Sequence, residues 1–138
     1  MKQAGYSGTP LAKKLGIKPG FRIRLINQPD YYPELFSDLP ADLIILKDGR
    51  GRKDFIHYFA TSAERLNSDI GQLRKEIEEN GMIWISWYKK SSTIVTDVDE
   101  DVIRHIALKN GLVDVKVCAI DEKWSGLKLV IPVKDRKM

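Results

Sequence analysis

The sequence predicts an α/β fold: a mainly parallel sheet with helices on both faces and a C-terminal antiparallel hairpin. Strand patterns alternate with helix patterns through the middle of the chain, as in strand–helix–strand units. Two strand segments, 43–46 and 82–88, are almost continuous apolar runs, the mark of strands covered on both faces. Only a short turn separates the last two strand segments, so they pair antiparallel. The 138 residues supply one core, and a single domain is expected over 1–133 with a frayed basic tail at 134–138.

The elements follow in order. Gly5-Tyr6-Ser7-Gly8-Thr9-Pro10 is a turn-rich loop in which Thr9 caps a short helix opened by Pro10, where a missing N–H costs nothing. Leu11 and Leu15 fall one turn apart on that helix, Gly16 ends it, and Pro19-Gly20 turns the chain. Phe21, Ile23 and Leu25 alternate with Arg22 and Arg24, a strand with one wet or edge-lying face. Asn27 to Asp30 break it, and residues 31–39 read as a short helix stopped before Pro40. Leu43-Ile44-Ile45-Leu46 reads as a covered strand, residues 47–53 as a glycine-rich basic loop, and residues 55–60 as an aromatic, central strand.

Next comes the strongest helix signal. Thr61 and Glu64 have capping-box spacing. Ala63, Leu66, Ile70, Leu73 and Ile77 make one apolar stripe, while Arg65/Asp69, Arg74/Glu78 and Lys75/Glu79 are i,i+4 pairs on the outer face. Asn80-Gly81 closes the helix. After the strand at 82–88 and a polar loop, Asp97 with Glu100 caps a second helix whose Val98, Val102, Ile103 and Ile106 share a face, ended by Asn110-Gly111. Val113, Val115, Val117 and Ala119 alternate along one strand, 121–126 turns, and Leu127, Leu129 and Ile131 alternate along the return strand.

Lysine and arginine total 23 against 19 acids, a net charge of +4 that is scattered rather than gathered into a block. The one cysteine, Cys118, excludes an internal disulfide framework and reads as a buried, inert thiol. No run approaches the ~18 apolar residues of a membrane span. The opening residues lack the apolar run of a secretory signal, so a cytoplasmic protein is expected.

Right-handed crossovers bring the strand exits to one edge, and ligands of open α/β sheets sit there, where the strand order reverses. That edge is expected to hold Asn27, Thr61 and the loop Lys89-Lys90-Ser91-Ser92. Two lysines beside Trp87 and Tyr88 suit phosphate or carboxylate and stacking on a flat ring; the plain alternative is a solvated strand end. Ser7, Gly8 and Thr9, followed by Lys13 and Lys14, offer a second anion site at a helix N-terminus, against the alternative of a well-capped terminal helix. Trp124, in the hairpin turn, either closes the open end of the core or presents a flat face to a partner.

The turn after the first strand, Asn27-Gln28-Pro29-Asp30-Tyr31, has no glycine, and no Gly-x-Gly-x-x-Gly or P-loop occurs. No cofactor is therefore assigned, and a standard methyltransferase or dehydrogenase is not expected. Asp97-Val98-Asp99-Glu100-Asp101 reads as first-turn acids complementing a helix dipole rather than a metal loop. His57 and His105 have no ligand partner at metal spacing, and no Gly-x-Ser-x-Gly elbow suggests a hydrolase.

In outline, a Rossmann-like sheet closing in an antiparallel hairpin resembles the methyltransferase architecture. More specific are Gly5-Tyr6-Ser7-Gly8-Thr9-Pro10-Leu11 with Lys14-Leu15-Gly16, Trp84 with Trp87-x-Lys89-Lys90, and Thr96-Asp97-Val98. To these add Gly111-Leu112-Val113-Asp114-Val115-Lys116-Val117-Cys118-Ala119 and Trp124-Ser125-Gly126-Leu127-Lys128. Together they resemble the bacterial domain of unknown function 3052 family over nearly the whole chain, with Tyr88 where that pattern usually has proline. The resemblance implies a small bacterial single-domain protein and brings no catalytic residue with it.

The expectation is a non-catalytic Rossmann-like module that binds an anionic small molecule or a protein partner. Two alternatives stay open. One is a divergent transferase-type enzyme with Asp97 or His57 as general base. The other is a weak nucleic-acid binder using Arg22, Arg24, Arg50, Arg52 and Lys53, with steeply salt-dependent affinity.

Overall fold

In the computed structural model, which describes residues 8–137, six strands share one sheet. They are β1 (Arg22–Ile26), β2 (Ile44–Ile45), β3 (Lys53–Phe59), β4 (Ile77–Tyr88), β5 (Val113–Ala119) and β6 (Trp124–Val130). Across the sheet they run β2-β1-β3-β4-β6-β5. The first four are parallel, and β6 is antiparallel to both β4 and β5. The predicted parallel middle and closing hairpin are both present. The chain goes outward from β1 to β2 and then crosses back to β3, so the strand order reverses between β1 and β3.

Alternation along β3 builds two cores. Ile56, Tyr58 and Ala60 face α2 (Ala63–Glu76) and α3 (Glu100–Lys109). Phe55 and Phe59 face the other way, against α1 (Leu11–Leu15) and a 3-10 turn at Tyr32–Leu35. Trp84 is buried on that second face and donates its indole N–H to Leu15 O at 2.9 Å, tying α1 to the sheet. Gly126, its near neighbour, is required by close approach: a Cβ there would lie 3.0 Å from Trp84 Cε3.

Inside the second core, His57 bridges Tyr32 Oη (2.9 Å to Nδ1) and Ser86 Oγ (2.7 Å to Nε2) and stacks on Phe59 with ring centroids 4.3 Å apart. Burial lowers its pKa to about 3, so the ring stays neutral.

At the amino end of the sheet lies a buried charge cluster. Glu76 Oε1 accepts Lys53 Nζ at 2.9 Å and Arg24 at 2.7 Å, and Glu76 Oε2 accepts Gln72 at 3.2 Å. Lys53 Nζ also donates to Asp48 O at 2.7 Å and Arg50 O at 3.3 Å, so every ammonium proton has a partner. Burial alone would raise the Glu76 pKa, but hydrogen bonds from Arg24, Lys53 and Gln72 outweigh it and hold the carboxyl below its ordinary value.

Several local expectations are corrected by contacts distant in sequence. The helix read at 31–39 is only the 3-10 turn Tyr32–Leu35. The apolar run 43–46 gives a two-residue edge strand with Ile44 and Ile45 about half exposed, because nothing pairs beyond it. Ser62, not Thr61, caps α2, accepting from Arg65 N–H at 3.2 Å. That helix ends at Glu76, short of Asn80-Gly81, because Ile77 turns extended to pair with Lys53. Asp99 rather than Asp97 caps α3. The return strand begins at Trp124 because Asp121 Oδ1 accepts the Lys123 and Trp124 N–H groups and tightens the turn.

Candidate functional site: a cleft where the strand order reverses

At the carboxyl ends of β1 and β3 a cleft of about 510 Å³ opens, within the range of small-molecule sites. Ile26 and Phe59 line its apolar part, and Asn27, Tyr58, Thr61, Ser62, Arg65 and Asp69 supply its polar groups. Tyr58 stands on β3 and Arg65 and Asp69 on α2, while Asn27 sits in the turn that leaves β1 and Thr61 and Ser62 in the turn that enters α2. Asn27 leaves β1 with φ 59°, the left-handed region that asparagine tolerates. Its Nδ2 donates to Phe59 O at 2.9 Å, bridging the two strands at the point of reversal.

Tyr58 Oη donates to Asp69 Oδ2 at 2.6 Å. Burial raises the phenol's pKa, and the hydrogen bond and charge of Asp69 raise it further, so Tyr58 stays a protonated donor. Arg65 and Asp69, read from sequence as a solvent-facing i,i+4 pair, make no ion pair with each other. Arg65 is exposed and forms no ion pair among the described residues.

The two rim residues Asn27 and Thr61 share this cleft. Lys89, Lys90 and Ser91 do not line it: they follow β4, where a 3-10 turn at Lys90–Ser92 packs beside the hairpin and Lys89 N–H donates to Lys123 O at 2.8 Å. Gly8 and Thr9 lie before α1, far along the chain from the rim, and Ser7 lies outside the described residues. The α1 N-terminus is filled by the chain itself, since Asp38 accepts the Ala12 and Lys13 N–H groups at 3.0 and 3.1 Å. In the same way Asp97 accepts Ala63 N–H at 3.0 Å, at the start of α2. Both helix ends that suit an anion therefore already hold a carboxylate.

Trp124 is 4% exposed, stacked on Tyr88 at 4.0 Å and edge-on to Phe59 at 4.9 Å. It closes the core rather than offering a flat face to a partner, which corrects the second of the two alternatives. The general bases considered for a transferase are corrected as well, because Asp97 does not line the cleft and His57 is sealed in the core. Of the residues proposed for a nucleic-acid surface, Lys53 and Arg24 bind Glu76 at the amino end of the sheet, while the exposed Arg50 pairs with Asp48 and the exposed Arg52 donates to Ile77 O. Among the described residues no group of His, Cys, Asp and Glu can hold a metal ion, and no helix is long and apolar enough to cross a membrane.

Sequence reading missed Tyr58, Ser62, Arg65 and Asp69. The available signal was their position just before and just after the β3 exit.

No protein-family model and no curated relative matches this chain. Solved structures do. A Sulfolobus solfataricus protein assigned to the type 11 methyltransferases superposes with TM-score 0.64 at 16% identity, covering 93% of each chain. A SAM-dependent methyltransferase from Aquifex aeolicus gives 0.60 at 14% identity, covering 88% of this chain and 87% of that one. Magnesium protoporphyrin IX methyltransferase from Synechocystis, with bound SAM, gives 0.58 at 12% identity, covering 87% and 76%. These neighbours overturn the expectation of a non-catalytic module for an anionic small molecule or a protein partner. The fold is the Rossmann-like fold that these methyltransferases share.

Proposed function

We propose that the protein is a divergent transferase-type enzyme working on a small molecule in the β1/β3 cleft. One observation carries this reading: a carboxylate and a phenol 2.6 Å apart line an open cleft at the strand reversal of a methyltransferase fold. Asp69 is the one carboxylate lining that cleft. Its role is to accept the proton that an acceptor nucleophile loses, at Oδ1, while Oδ2 stays held by Tyr58. Tyr58 fixes the carboxylate's orientation, and Arg65 binds and orients the molecule.

SAM held in a glycine turn does not fit these residues. Every residue from Asn27 to Tyr31 carries a Cβ, Pro29 has no N–H to donate, and Asn27's amide is spent on Phe59. Asp48, about 20 residues past that turn, has the spacing of a ribose-binding acid. It is held instead by Arg50, while its carbonyl is drawn to Lys53 and the amino end of the sheet.

Incubating the protein with a metabolite extract and following masses tests the reading. The expected result is one small molecule gaining a group that a second small molecule, the donor, loses in equal amount, at a rate lowered about 100-fold or more in Asp69→Asn. An unchanged mass profile would contradict it.

A further inference from the structure

We infer that the β1/β3 cleft takes a compact zwitterion, an amino acid or close analogue, rather than a nucleoside-bearing molecule. The inference deepens the transferase reading and rests on it, since it takes the cleft as the working site.

The cleft's charges are of opposite sign and stand one helical turn apart on α2. At i,i+4 their Cβ atoms are about 6 Å apart, a spacing that a short molecule with charged ends bridges. Neither charge is used up by the other. Arg65 has no ion pair among the described residues, and Asp69 binds Tyr58 through Oδ2 alone, leaving Oδ1 to accept from an ammonium. Asn27 adds a second acceptor at the rim, because its Nδ2 is the atom committed to Phe59 O. A carboxylate then meets the fork of Arg65, a charge-assisted contact with geometric specificity.

The same geometry disfavours the two simpler ligand classes. A lone anion meets one guanidinium but finds Asp69 in the same cleft and Asp97 already on the α2 N-terminus. A nucleoside finds neither a glycine turn nor a ribose acid. The cause is the charge cluster at the other end of the sheet, where Lys53 binds the carbonyls of Asp48 and Arg50 and draws the chain after β2 away from the rim.

Calorimetric titration of the whole protein tests this. The probes are the twenty standard amino acids, each beside its decarboxylated amine and its N-acetyl derivative, together with adenosine, homocysteine and S-adenosylhomocysteine. At least one amino acid should bind, with both half-charged analogues tenfold weaker or worse. Arg65→Ala and Asp69→Asn should each weaken binding tenfold or more, with unchanged Tm showing that the fold is intact. Asp69→Asn keeps an acceptor for Tyr58. Binding of adenosine alone, or S-adenosylhomocysteine more than tenfold tighter than homocysteine, would show that the nucleoside is recognised. That result overturns the zwitterion inference and leaves the transferase reading standing. Amino-acid binding indifferent to both substitutions, or no binding by any probe, overturns the inference too, and the transferase reading then stands or falls on the mass profile.

Discussion

The two ends of the parallel sheet treat charge in opposite ways. At the amino end, Lys53 and Glu76 are buried, and their polar atoms are matched by Arg24, Gln72 and two carbonyls. At the carboxyl end, Arg65 and Asp69 line an open cleft with most of their hydrogen-bonding capacity unused. The first arrangement leaves no capacity for a ligand and the second does, so the amino end reads as scaffold and the carboxyl end as working site.

The largest effect that tests this contrast is loss of Glu76. Glu76→Ala strands the Lys53 ammonium in the interior and should cost about 3–5 kcal/mol, read by chemical denaturation. A cost under about 1 kcal/mol would mean the cluster is not structural. The pH dependence has a fixed sign. Glu76 has a depressed pKa, so its stabilisation is present above the ordinary carboxylate value of 4.5 and is lost as pH falls through the lower folded value. Glu76→Gln should therefore flatten the acid end of the stability curve.

His57 gives the next largest effect. Its pKa is also depressed, from 6.5 to about 3, so stability is complete above 6.5 and falls as acidification protonates the unfolded chain first. The slope between those values should approach about 1.4 kcal/mol per pH unit. His57→Phe should remove that slope. At neutral pH it should cost about 1–3 kcal/mol for each hydroxyl, Tyr32 and Ser86, left unpaired. A His57→Phe curve with the same slope would place the titration elsewhere.

Smaller effects belong to the cleft. Tyr58→Phe removes one hydrogen bond and should cost about 1 kcal/mol. Arg65→Ala, on the exposed helix face, should stay within about 0.5 kcal/mol of the wild type. A larger Arg65 effect would make it a structural residue and blur the contrast between the two ends.

These contrasts also explain what the sequence discloses. Periodicity is local, so the alternation of Ile23 and Leu25, the α2 stripe and the Val113–Ala119 strand were legible, and the parallel middle and closing hairpin followed from their sequence, but the order of strands across the sheet did not. Asn27 and Thr61 were legible as rim residues because strand exits share an edge. Arg65 and Asp69 were not, since an i,i+4 pair on a polar face looks the same whether it meets solvent or a cleft. Asp38 and Asp97 satisfy helix ends 26 and 34 residues away, and no spacing rule reaches that far. Ile44 and Ile45 misled for a related reason: an apolar run does not state whether another strand lies beside it.

The most direct test of the central claim is site-resolved. Backbone amide shifts should be followed by NMR while a mixture of amino acids is titrated into the intact protein. Perturbations centred on Asn27, Thr61, Ser62 and Arg65, with Lys53 and Glu76 unmoved, are predicted. Shifts confined to Lys89–Ser92 or to Gly16–Lys18 beside α1, with the β1/β3 rim silent, would contradict the assignment of the working site.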